Sequence, residues 1–212
     1  MLDAPTDLAP FRLDKFRAEP LIREPFEHLI LPGFLDGDCL EFVRAHYPEI
    51  EKPGSFPTQS LTVSSAFQAF LDQLQGPEMT AAFSEKFGID LSDRPTMVTL
   101  RGQARATDGK IHTDSLDKII TVLIYLNDKW DRDGGRLRLL RSPQIDDFFA
   151  ECPPDAGTLL TFRRADNSWH GHLPYAGPRR AIQLNWVVDD GVVTRERRRH
   201  QVSAFFKRLN PL

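Results

Sequence analysis

The chain is predicted to be α+β, with helices packed on one sheet of a cupin-like jelly-roll sandwich. Helical periodicity is confined to roughly the first 95 residues, whereas short β-branched or apolar stretches separated by Gly, Pro, Asp and Asn clusters dominate from Thr96 onward. One stretch, Ile119–Tyr125, is too continuously apolar for an exposed edge and belongs in the middle of a sheet. Helices first and many short strands afterwards is the order that α+β folds and double-sheet jelly rolls produce.

The elements follow in order. Residues 1–25 are rich in Pro and charge and read as a loosely packed lead-in. Phe26–Leu31 reads as a short strand closed by Pro32-Gly33. Asp36 or Asp38 can cap a helix that places Leu40, Val43 and Tyr47 on one face. After a Pro-rich loop over 48–57, helices are predicted around 64–75 and 77–87. The second starts at Pro77, stops at Gly88, and repeats Met79, Phe83 and Phe87 along the face expected to be buried. Strands are predicted at Thr96–Leu100, Lys118–Leu126, Arg136–Leu140, Thr158–Phe162 and Ala181–Val188. In the tail, Val202, Phe205, Phe206 and Leu209 form an apolar helical face, and the basic run Arg195–Arg199 reads as a solvated helix start.

The 212 residues fit a single domain, divided into a helical support region 1–95, a jelly-roll core 96–190 and a C-terminal helix 191–212. A net charge of −3 gives no general attraction to nucleic acid or anionic membrane, so neither is an expected partner. No apolar run approaches a membrane span, and the N-terminus shows no basic region followed by an apolar core. Cys39 and Cys152 lack CxxC or zinc-ligand spacing and read as reduced thiols of a cytoplasmic protein.

The chemistry-bearing residues are His112-Thr113-Asp114, then His170, then Arg180. Side chains alternate along a strand, so H-x-D puts an imidazole and a carboxylate on the same side. With a second imidazole they can occupy one face of an octahedral metal, leaving three positions open, as in non-haem Fe(II) oxygenases. Arg180 follows the second histidine by ten positions and can hold a carboxylate bidentately. H-x-D alone is uninformative, whereas the order H-x-D, apolar strand, Gly-Gly, His, Arg is specific. His172 competes with His170 as the second imidazole.

The segment from about Met97 to Val188 resembles the Fe(II)/2-oxoglutarate-dependent dioxygenases, in the prolyl 4-hydroxylase-like branch. The resemblance rests on IHTDS, on VLIYLNDKWDRDGGRLRLL and on GTLLTFRRADNSWHGHLPYAGPRRAIQLNW. It implies a double-stranded β-helix, the same jelly roll reached from the strand pattern. It implies Fe(II) bound by His112, Asp114 and His170, and 2-oxoglutarate as co-substrate with its distal carboxylate on Arg180, with ascorbate as a further cofactor candidate. Arg180 is preferred to Arg179 because it shares a strand face with Trp186, the aromatic six positions on. Tyr125 and Thr121 are assigned to the same pocket. Many relatives carry a Tyr about ten residues before H-x-D; here the segment reads LRGQARA, and Gln103 is the candidate in its place.

The implied activity is hydroxylation of a C–H bond with release of succinate and CO2, consuming O2, on a peptide or small-molecule substrate. Asp114 supports hydroxylation, since related halogenases carry a small residue there. Arg163, Arg164, Asn167 and Trp169 precede His170 and are expected at the substrate mouth. Two other readings exist. A metal-binding jelly-roll sensor without turnover predicts loss of a ligand or of the arginine. A zinc hydrolase would have no use for Arg180, Tyr125 and the Gly-Gly strand pair, and lacks an evident general base.

Overall fold

The computed structural model describes residues 11–195. Its elements are α1 (Leu13–Ala18), β1 (His28–Leu31), α2 (Gly37–His46), β2 (Phe56–Pro57), α3 (Ser65–Leu74), α4 (Pro77–Phe87) and then seven strands. These are β3 (Thr96–Ala104), β4 (Lys118–Tyr125), β5 (Leu137–Leu140), β6 (Phe148–Cys152), β7 (Leu159–Arg163), β8 (His170–Gly171) and β9 (Gly177–Val187). A six-stranded sheet runs in the order β1-β7-β4-β9-β3-β2, facing a three-stranded sheet β6-β5-β8. Every recorded strand pairing is antiparallel, and the arrangement is compatible with the predicted double-stranded β-helix core.

The helices cover the outer face of the large sheet. Pro77 opens α4 and Gly88, at φ +64°, closes it in the left-handed conformation. Met79, Phe83 and Phe87 are buried as the four-residue repeat predicts. Phe83 lies 4.9 Å, ring to ring, from Trp186 of β9, and Phe16 stacks on Phe83 from the other side at 4.5 Å. Ile182, Leu184 and Trp186 join this helix-side core with Val98 and Leu100 of β3.

Three expectations need correction. The stretch predicted as a loose lead-in contains α1, whose Phe16 is wholly buried. Within region 1–95 the strand predicted at Phe26–Leu31 forms as β1 and pairs with β7, while the two-residue β2, which was not predicted, pairs with β3. Asp36 occupies the α2 cap position, yet its carboxylate pairs with Arg12 at 2.6 Å and caps nothing. The sequence pattern also missed β6 and β8, the first without clean alternation (FFAEC) and the second only two residues long. Of the predicted C-terminal helix 191–212, the described residues reach Arg195; Val202, Phe205, Phe206 and Leu209 lie outside them. Among the described residues no helix is long and apolar enough to cross a membrane.

Between the sheets, the space divides. One part is an apolar cluster of Phe26, Leu139, Cys152, Leu160 and Phe162 with Tyr125. The other is a cavity of about 470 Å³.

Phe83 joins α1, α4 and β9, so Phe83→Ala should cost about 3–5 kcal/mol, the usual range for an aromatic deleted from a core. Urea denaturation at neutral pH checks this; a loss below 1 kcal/mol would mean that the helix layer is not docked on β9.

Candidate metal and co-substrate site

The two histidines are brought together by backbone pairing. The His112 amide donates to the His170 carbonyl at 3.1 Å, and the His170 amide donates to the His112 carbonyl at 3.0 Å. Such a reciprocal pair sets two residues directly opposite each other on one face, and the imidazole centroids lie 4.3 Å apart. Gly109 allows the incoming loop to pass over β8: its φ is +79°, and a Cβ there would sit 2.4 Å from the His172 ring. The donor atoms of His112, Asp114 and His170 all lie within 4.8 Å of one another.

Each donor is prepared for a cation. Nδ1 of His112 lies 2.8 Å from the Lys110 carbonyl oxygen, and Nδ1 of His170 lies 3.0 Å from that of Ser168. A carbonyl can only accept, so each Nδ1 carries the proton and each Nε2 offers a lone pair. Burial pushes the His170 imidazole down to about 4, outweighing the attraction of Asp114, so it is neutral at physiological pH. Burial alone would raise the Asp114 carboxyl. The Lys118 and His170 charges and hydrogen bonds from Lys118 and Thr121 win, and hold it below the ordinary carboxylate value. Lys118 Nζ donates to Oδ1 at 2.7 Å and Thr121 Oγ1 to Oδ2 at 2.5 Å. Thr121 in turn accepts from Asn185 at 2.8 Å, and Asn185 from Gln183 at 3.1 Å. Two imidazoles oriented by backbone carbonyls and an ionised carboxylate with open space beside them form a donor set suited to Fe(II).

The other end of the cavity belongs to Arg179. Its side chain is 6% exposed, its Nε donates to the Gly135 carbonyl at 2.9 Å, and its guanidinium lies 5.3 Å over the Tyr125 ring. The Gly-Gly pair therefore serves partly to present that carbonyl. Arg179 Nη2 and the Tyr125 hydroxyl are both buried without a hydrogen-bond partner. Trp186 Nε1, on the opposite face of β9, is a third such atom; of the three residues only Arg179 lines the cavity, so its unpartnered nitrogen is the one a polar ligand in the cavity can satisfy.

Arg180 is not in this site. Its side chain is exposed, and its backbone amide donates to Asn127 Oδ1 at 2.6 Å. The alternation along β9 is as predicted, but the face is the opposite one: Arg180, Ile182, Leu184 and Trp186 turn away from the cavity, which Arg179, Gln183 and Asn185 line. Trp186 is spent on packing against Phe83 and touches no co-substrate space. Thr121 lines the cavity as expected, and Tyr125 lies behind Arg179.

Gln103 does not line the cavity; it pairs with Pro178 beyond a register shift in the β3–β9 ladder, and Arg101, just before that shift, does. The expected substrate mouth also fails. Arg163 pairs with Glu27 at 3.4 Å and Arg164 with Asp166 at 2.7 Å, Asn167 donates to the Pro25 carbonyl, and none of these nor Trp169 lines the cavity. His172 does line it, at the Arg179 end, and is likewise pushed down to about 4 by burial and then by that guanidinium. Arg101 was missed as a cavity residue, whereas Arg179 and His172 were weighed in the sequence and passed over in favour of Arg180 and His170. The signal for Arg101 was a charged residue directly after TMVTL, still within β3.

Residues 102–188 match the 2OG-Fe(II) oxygenase superfamily. No curated protein sequence matches the chain. Among solved structures, a prolyl-4-hydroxylase from Pseudomonas putida is similar at 18% identity and TM-score 0.52, covering 82% of this chain and 88% of that one. A 2OG-Fe(II) oxygenase family oxidoreductase from Burkholderia pseudomallei is similar at 16% identity and TM-score 0.58, with coverages of 82% and 90%. A viral collagen prolyl hydroxylase from Paramecium Bursaria Chlorella virus-1, solved with 2OG, matches at 16% identity and TM-score 0.53, with coverages of 76% and 96%. At these identities the structures establish the fold, and the superfamily match supplies the iron and 2-oxoglutarate dependence. Residues 102–188 therefore match the 2OG-Fe(II) oxygenase superfamily, and the fold of the chain is similar to that of prolyl 4-hydroxylase structures.

Proposed function

We propose that this oxygenase hydroxylates an unactivated C–H bond, with iron held by His112, Asp114 and His170 and the distal carboxylate of 2-oxoglutarate held by Arg179. The observation that carries this reading is one cavity containing both the clustered triad and a buried guanidinium with an unpartnered nitrogen. When bound, the iron supplies the coupling of 2-oxoglutarate and O2 to substrate: R–H, 2-oxoglutarate and O2 become R–OH, succinate and CO2.

The chain's own residues orient and exclude. Thr121 and Lys118 hold the Asp114 carboxylate ionised and in one orientation, and the carbonyls of Lys110 and Ser168 fix both imidazole rings. Arg179 offers a charge-assisted contact, and the Tyr125 hydroxyl can donate beside it. Leu123 and Leu137 contribute apolar wall, which limits water around the reacting groups. An acidic residue at position 114 supports hydroxylation over halogenation. A prolyl side chain, named for two of the structural neighbours, is one candidate substrate; a small molecule in the same cavity is the other.

Anaerobic loading with Fe(II) and 2-oxoglutarate, followed by O2 and candidate substrates, should yield succinate. Asp114→Ala should abolish it, and full activity in that variant would refute the triad. Truncating one member of a buried charge pair costs about 2–5 kcal/mol, so Arg179→Leu should raise the constant for 2-oxoglutarate roughly 30-fold or more. Arg180→Leu should leave it within about threefold, and the reverse ranking would restore Arg180 to the site.

A pH dependence follows from the two buried histidines. His170 and His172 both fall to about 4 in the fold, against an ordinary value of about 6.5 when unfolded. Between those values the unfolded chain binds more protons, so stability is full above the unfolded value and falls as pH drops toward 4. The urea midpoint of the metal-free protein should therefore rise with pH from about 4 to 6.5. A flat profile across that window would show that neither ring is buried neutral.

A further inference from the structure

The cavity holds more positive charge than the triad and the co-substrate explain. Five charged side chains line it: Arg101, Asp114, Asp117, Lys118 and Arg179. Lys118 is paired with Asp114 at 2.7 Å, and Asp117 is paired with Arg195 at 3.2 Å. Arg179 is assigned to the co-substrate. That leaves Arg101, a half-buried guanidinium with no hydrogen bond or ion pair among the described residues.

Its placement is enforced. The Tyr47 hydroxyl accepts from the Arg101 amide at 3.1 Å and lies 2.9 Å from the Arg101 carbonyl, which pins the backbone. Gly102 then presses against the Ile50 segment so closely that a Cβ would meet the Ile50 carbonyl oxygen at 2.3 Å. Burial, and then the neighbouring Arg179 charge, disfavour the charged form of Arg101. Asp108 is the acid that favours the charged form, but its carboxylate is engaged by the Arg105 amide at 3.0 Å and the Arg105 guanidinium at 3.6 Å, so an arriving anion would stabilise the two like charges that share the enclosed space.

One carboxylate does not readily serve both. Tyr125 and Arg101 pair with Ala181 from opposite sides, since β9 lies between β4 and β3. Two strand spacings separate them, about 9.6 Å at the backbone. Arg179 leans toward Tyr125, on the β4 side. Arg101 stands on the β3 side, in a wall continued by Thr99 and Ser55, which are hydrogen-bonded to each other at 2.8 Å.

We propose that Arg101 is the anchor of a separate substrate subsite, and that the molecule hydroxylated carries an anionic group, a carboxylate or a phosphate, held against the Arg101 guanidinium. This rests on the oxygenase reading above and names the substrate class for it. The subsite places the anion on the β3 wall, beside the co-substrate and inside the same cavity as the triad.

The test uses the whole protein loaded anaerobically with Fe(II) and saturating 2-oxoglutarate, so that no turnover occurs and Arg179 is already engaged. Melting temperature is followed with inorganic phosphate or with acetate at constant ionic strength, since a ligand that binds only the folded state raises it. Wild type should gain stability from at least one anion, and the effective one identifies the group as phosphate or carboxylate. Arg101→Gln should weaken that anion at least tenfold, and the milder Arg101→Lys should retain part of the response. Both variants should keep the full rise produced by 2-oxoglutarate. No anion response in wild type, or an undiminished one in Arg101→Gln, overturns the subsite. Loss of the 2-oxoglutarate response in Arg101→Gln also overturns it, by assigning Arg101 to the co-substrate. If wild type itself shows no rise with 2-oxoglutarate, the failure belongs to the oxygenase reading of the site.

Discussion

From Ala181 to Trp186 strand β9 is paired with β3 on one side and β4 on the other, and this double pairing governs the molecule. A strand so held cannot rotate, and a slip of one residue would exchange its two faces completely. One face carries Ile182, Leu184 and Trp186 into the helix layer. The other carries Arg179, Gln183 and Asn185 into the cavity. Packing of the helices and placement of Gln183 and Asn185 are therefore two consequences of one register, and Arg179 follows at the irregularity just before the doubly paired stretch.

The large features were legible because they are local or strongly patterned. The α4 face was readable from Met79, Phe83 and Phe87 at helical spacing, and the triad from H-x-D followed by His170 in a recognisable order. Choosing between Arg179 and Arg180 was harder, because alternation defines two faces without saying which one looks inward. The clue lay in polarity. Gln183 and Asn185 are polar yet sit in a strand too apolar overall for an edge, and such residues belong beside a site, while Ile182, Leu184 and Trp186 belong under helices. The aromatic at 186 pulled the reading to the wrong face, since a large apolar ring serves packing as well as it serves a pocket. Arg163 and Arg164 misled for a different reason. They adjoin His170 in sequence, but Glu27 and Asp166 claim them, and Glu27 comes from a distant part of the chain.

The site also shows how the chain keeps a charged group deep between two sheets. Asp114 is only 6% exposed, a costly position for a carboxylate. Its two oxygens are met by Lys118 and Thr121, and the hydrogen-bond line continues through Asn185 to Gln183 on β9. The polar face of β9 thus serves the Asp114 end of the cavity as well as the Arg179 end. Replacing any member leaves a neighbour unsatisfied, so its effect spreads beyond the residue changed.

The reciprocal amide bonds between His112 and His170 have a consequence for the lifetime of the site. These two bonds join segments far apart in sequence as an isolated bridge, helped on that side by only the His172 amide donating to the Gly109 carbonyl at 2.9 Å, while the other edge of β8 is paired with β5. Short, isolated pairings open more readily than the interior of a sheet. When this one opens, the two imidazoles separate, so the donor set persists only as long as the bridge. Hydrogen exchange at these two amides is therefore a clock for the assembled site, and a cation shared by both rings would slow it by closing the intervening loop.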